Sequence, residues 1–76
     1  MSTLERIRKA ELLDCSIMIR DKKTKQVGVC GTNVLNDELI NVFYGADSGV
    51  SDRLGITEEE FDNDFEILRE VYNTCH

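Results

Sequence analysis

No stretch of this chain approaches the roughly 20 consecutive apolar residues that a membrane-spanning helix requires. Met1-Ser2-Thr3-Leu4-Glu5 runs straight into charged residues rather than into the apolar segment of a secretory signal, so export is not expected. The three cysteines, Cys15, Cys30 and Cys75, are odd in number and have no C-x-x-C spacing. That argues against a disulfide framework and for free thiols in a reducing cytoplasm. The one histidine is His76, the last residue, which is a poor place to build a nucleophile and its base. Gly45, Gly49 and Gly55 have no lysine among them and lead into Glu58-Glu59-Glu60, a setting hostile to a phosphate cradle. There is no proline, no internal repeat and no low-complexity segment.

What remains is 76 residues, enough for one domain spanning 1–76 and one core. At this size hydrophobic gain and conformational entropy nearly cancel. Either the core is economical, or a partner covers an apolar face that the monomer leaves open. The net charge is −6, unevenly spread. Residues 1–31 hold seven Lys and Arg against four acids, for +3, and residues 32–76 hold two against eleven, for −9. Such asymmetry bears on association and solubility.

Periodicity predicts an α+β chain in the order α-β-β-α-α: a short N-terminal helix, a two-stranded antiparallel hairpin, one middle helix and a long amphipathic C-terminal helix. Ser2 and Glu5 have the spacing of a capping box for a helix over 2–13, with Leu4, Ile7 and Ala10 as its stripe. Alternation over 15–31 predicts the hairpin, turning at Asp21–Lys25 with Lys25 in a left-handed bulge position. Pairing Arg20 with Gln26 gathers Cys15, Ile17, Ile19, Val27 and Val29 on one face and sends Cys15 and Cys30 to opposite faces. The free edges of such a hairpin invite a strand from another chain. Asn33 or Asn36 would cap the middle helix, with Leu39, Ile40 and Phe43 buried and Gly45 ending it. Residues 45–56 read as a turn-rich connection. Thr57 and Glu60 form a second capping box, and Phe61, Phe65, Leu68, Tyr72 and Cys75 recur at steps of four and three, predicting a helix over 57–75.

Val50-Ser51-Asp52-Arg53-Leu54-Gly55-Ile56-Thr57 resembles the central stretch of a helix-turn-helix motif. The would-be recognition helix then opens with three glutamates and continues through Asp62 and Asp64, which would repel phosphate. Direct nucleic-acid binding is therefore not expected. Lys22, Lys23 and Lys25 at the hairpin tip lack interleaved aromatics on which bases could stack. Metal binding finds no support either: Asp62 and Asp64 lie about 200° apart around a helix. A Cys15, Cys30, Cys75, His76 set has none of the short ligand spacings of structural zinc sites. No cofactor is expected.

Size, free thiols, absence of proline and lopsided charge resemble the small proteins that phages and mobile elements use to inhibit host machinery, a likeness of composition. It implies a non-enzymatic protein-binding module that regulates or inhibits a larger partner. The acidic helix face of Glu59, Asp62, Asn63, Glu66 and Glu70 is the expected docking surface, and a protein with a basic surface the expected partner. Two alternatives stand beside it. One is an oligomeric protein that sequesters a small ligand or nucleotide through Lys22, Lys23, Lys25 and Arg53; the other is a structural subunit of a larger assembly.

Overall fold

The computed structural model describes residues 1–72, apart from the side chain of Ala46. Ser2 caps α1 (Thr3–Leu12) by accepting the Glu5 N–H at 3.2 Å, as the capping-box spacing required. Four strands follow before the second helix: β1 (Cys15–Asp21), β2 (Val27–Thr32), β3 (Ile40–Tyr44) and β4 (Arg53–Ile56). Helix α2 (Glu58–Asp64) then leads directly into β5 (Phe65–Tyr72). All pairings are antiparallel, and the sheet order is β4-β3-β2-β1-β5. The class is α+β, but the arrangement is two helices on a five-stranded sheet, not a hairpin with a middle helix and a long C-terminal one.

Three expectations are corrected. The middle helix does not form. Residues 40–44 alternate Ile40, Val42 and Tyr44 inward with Phe43 outward, and the β-branched and aromatic side chains suit a pleated surface. Asn33 and Asn36 cap turns instead: Asn33 Oδ1 accepts the Leu35 and Asn36 N–H groups, and Asn36 Oδ1 accepts that of Glu38.

The C-terminal helix stops at Asp64, because Phe65 turns to extended backbone (φ −130°, ψ 157°) and its strand pairs with β1. A helix there would have left the β1 edge unpaired. Cys75, the last member of the expected helical stripe, lies outside the described residues, as does His76.

The hairpin register is shifted by one residue. Asp21 Oδ1 accepts the N–H groups of Lys23 and Thr24 at 2.8 and 3.0 Å, and the Asp21 N–H donates to the Gln26 carbonyl at 2.8 Å. The side chain thus closes the turn on Asp21–Gln26 rather than on Arg20–Gln26, with Lys25 left-handed at φ +67° as the turn demands. Arg20 therefore faces Val27, and Ile17 faces Cys30. Since a one-residue slip moves every side chain to the other face, Cys15 and Cys30 both point inward while Val27 and Val29 point outward. Nor are the hairpin's edges open to another chain: β3 and β5 of this chain occupy them.

Both helices lie on one side of the sheet. Ile7 and Ala10 of α1 and Phe61 of α2 pack with Ile17, Ile19, Ile40, Val42, Ile56 and Phe65 into one cluster. Gly28 sits on this inner side between Ile19 and Tyr44, where a Cβ would lie 2.3 Å from the Phe43 carbonyl oxygen. Only glycine allows the two strands to approach so closely. The acids of α2 also hold the helices together: Glu58 accepts the Leu4 N–H at 2.7 Å, and Asp62 accepts the Thr3 hydroxyl at 2.7 Å, both at the α1 N-terminus where negative charge is favoured.

Candidate functional site

The side of the sheet away from the helices carries no covering layer among the described residues. The strand register fixes what it presents. Phe43, Val29, Met18 and Arg69 form one row across four strands, flanked by the row Val27, Arg20 and Glu66. Leu54 of β4 adds a further exposed aliphatic group at the margin. Val27 and Phe43 are each 42% exposed, Val29 37% and Leu54 62%, a concentration of large apolar side chains that solvent does not favour. The Arg20 guanidinium meets Glu66 through Nε at 2.6 Å, so that row is internally neutral. Arg69 has no carboxylate partner among the described residues.

Both sheet edges are blunted. On β5 the pairing steps from Met18–Arg69 to Ile19–Ile67, leaving Leu68 as an extra, bulged residue. At the other end, β4 has four residues and is kinked at Gly55, which is left-handed at φ +70°. Short, bulged edges resist strand addition, so the flat face rather than an edge is the surface offered to another molecule.

A second feature is a polar knot beneath α2. The Tyr44 hydroxyl donates to Asp21 Oδ2 at 3.0 Å in a buried contact that joins β3 to the hairpin turn. Burial pushes the Asp21 carboxyl up, but the N–H groups of Thr24 and Lys23 and the Tyr44 hydroxyl outweigh it and hold the pKa below its ordinary value. Burial, then the bond to Asp21, pushes Tyr44 to about 12. Nearby, Arg53 donates through Nη1 to Asp64 Oδ2 at 2.7 Å, its Nη2 lies 3.8 Å from Glu60, and its Cζ sits 5.3 Å from the Phe65 ring centre. The Asp64 bond raises the Arg53 pKa further.

Of the residues proposed from sequence for a small ligand, Lys22, Lys23 and Arg53 do converge, lining a cleft of about 300 Å³ with Asp21, Asn63 and Asp64; Lys25 is not among its lining residues. Two of its three cations are engaged, since Arg53 holds Asp64 and the Lys22 ammonium donates to the Asp62 carbonyl at 3.0 Å. Those two contacts tie α2 to the hairpin turn and to β4.

The residues proposed for docking do not share a face. Glu59, Asp62 and Asn63 are exposed on α2, Glu66 lies on the open side of β5 against Arg20, and Glu70 falls on the opposite side of β5, in register with Ile17. Sequence reasoning missed the open face because it assigned Val27 and Val29 inward. Gly28 between them was the available signal, since glycine inside a strand marks a close backbone approach on its own side.

Cys15 and Cys30 are buried free thiols, with Cys30 pushed to about 12 by burial and by Glu11 nearby. No group of three or more His, Cys, Asp or Glu among the described residues is arranged to hold a metal ion. No helix among them is long and apolar enough to cross a membrane. No protein-family model, curated protein or solved structure matches the chain.

Proposed function

We propose that this chain is a non-enzymatic protein-binding module of the cytoplasm that regulates or inhibits a larger partner, and that it docks through the open face of its sheet. The observation that supports this reading is the one-sided fold: five strands with both helices on one side, and Phe43, Val29, Val27 and Leu54 left exposed on the other. An apolar patch of this kind, rimmed by Arg20, Glu66 and Arg69, has the anatomy of an interface centre with a polar margin. The charge of −6 supplies steering toward a partner with a basic surface, while the face supplies contact energy. The free thiols of Cys15 and Cys30 suit a reducing compartment.

Phe43→Lys and Val29→Lys each place a charge in the middle of the face without touching the core. With the immobilised chain as bait in lysate of its source cell, each variant should retain the captured partner about tenfold less well than the wild type. Glu59→Lys should instead slow association and reduce its salt dependence. Capture undiminished in both face variants, with their folds verified by circular dichroism, would defeat the reading.

A further inference from the structure

We propose that a second copy of this chain occupies the open face when no target is present, so that two sheets stack face to face and mask the docking surface. This rests on the reading of that face as a protein-docking surface and names its resting occupant. Two observations favour a second copy.

The first is charge. Among the described strands, Glu66 is the one acid that the register places on this face, and Arg20 neutralises it; Glu11 and Asp14 stand at its margin, where they line a cleft with Val29 and Phe43. Arg69, which has no carboxylate partner among the described residues, adds a positive charge that offsets part of that margin. The acids of α2 belong to the opposite layer, where Glu58 and Asp62 serve α1 and Glu60 and Asp64 lie against Arg53. Face-to-face stacking therefore joins two nearly neutral surfaces and turns the acidic layers outward, whereas contact through the helical layer would press carboxylates together. A net −6 molecule has few places where it can meet itself, and this face is one.

The second is area. Five strands spaced by roughly 4.8 Å, each contributing about five residues at ~3.3 Å, give a face on the order of 400 Å² in plan. With side-chain relief, two such faces approach the ~1,200 Å² total at which specific interfaces begin. Twisted sheets stack at about 10 Å, a spacing that Phe43, Val29 and Met18 from both copies can fill. An interface at this lower bound implies a reversible dimer that a tighter-binding target displaces.

Sedimentation equilibrium of the full chain from micromolar to about 0.5 mM tests the proposal, with an expected dissociation constant on the order of 10 µM. Phe43→Lys and Arg69→Glu should each weaken association at least tenfold. Arg69→Glu alters only an exposed side chain and guards against a folding artefact. A wild type that stays monomeric throughout the range overturns the proposal, as does a dimer that survives both substitutions. Neither result bears on target capture, which the Phe43→Lys pull-down judges independently, so failure of self-association and failure of the protein-binding reading are distinguishable.

Discussion

Replacing Tyr44 with phenylalanine removes one oxygen atom from the knot that joins β3 to the hairpin turn. The lost hydroxyl donates at 3.0 Å to a carboxylate that otherwise keeps two N–H donors, from Lys23 and Thr24. Hydrogen bonds to charged groups contribute about 1.5–3 kcal/mol. Asp21 stays partly satisfied and the turn lies close to solvent, so the lower end of that range applies, about 1.5–2 kcal/mol. In a chain of this length each kcal/mol shifts Tm by roughly 4–8 °C.

The dependence on pH is the sharper test. Asp21 has a folded-state pKa below its ordinary value of 3.8, so its contribution is present above that value and lost as pH falls through the lowered one. The Tyr44 bond is charge-assisted only while the carboxyl is ionised. Urea titrations of wild type and Tyr44→Phe should therefore diverge at pH 7 and converge on acidification below the folded-state pKa. A difference of equal size at both ends of that window, or one under about 0.5 kcal/mol at pH 7, would refute the assignment of the bond as a stabilising contact to an anion.

Three further outcomes are expected. Gly28→Ala places a methyl group 2.3 Å from the Phe43 carbonyl oxygen, so β2 and β3 must separate; a loss of about 3 kcal/mol or outright failure to fold is expected in chemical denaturation. Deleting Leu68 removes the bulge and makes β5 regular, so the variant should keep its circular dichroism spectrum yet scatter more light with time than the wild type, as a straightened edge recruits other chains. Cys30, buried and with its pKa at about 12, should resist alkylation at pH 8 in the native protein and react once urea exposes it, as read by peptide mass spectrometry; rapid native labelling would contradict its inward placement.

The local signals in the sequence were legible where one residue's chemistry decides the structure. Ser2 and Thr57 each accept the N–H three residues on, and Lys25 takes the left-handed position that the turn requires. The α+β class follows from such signals; the arrangement does not. Phe65, Leu68 and Tyr72 repeat at helical steps because Leu68 is an inserted residue in a strand, and a bulge breaks the period of two that would have revealed it. Residues 39–43 offered a helical stripe, while the alternation of Ile40, Val42 and Tyr44 over five residues was the pattern that packing selected. The hairpin faces were misread because gathering every apolar residue on one side is a sound rule only where the other side meets water alone. Here Val27 and Val29 point out, and that departure is what marks the candidate surface. Charge was misleading in another way. Part of the sequence polarity of +3 and −9 is folded into contacts within the chain, since Arg20 meets Glu66 and Arg8 lies 3.8 Å from Asp37.

One of the two neighbours of β1 is β5, the last strand among the described residues. Cys15 aligns with Tyr72 and Asp21 with Phe65, so β1, an interior strand of the sheet, keeps a bare flank until residues 65–72 have emerged from the ribosome. A nascent chain interrupted before that point would hold β1 to β4 with an unsealed seam, and pairings between residues far apart in sequence form slowly in any case. The molecule can therefore lock only once residues 65–72 are free of the ribosome. A chain truncated within α2 would keep that flank of β1 bare, a mark for a chaperone or protease that scans for unfinished products.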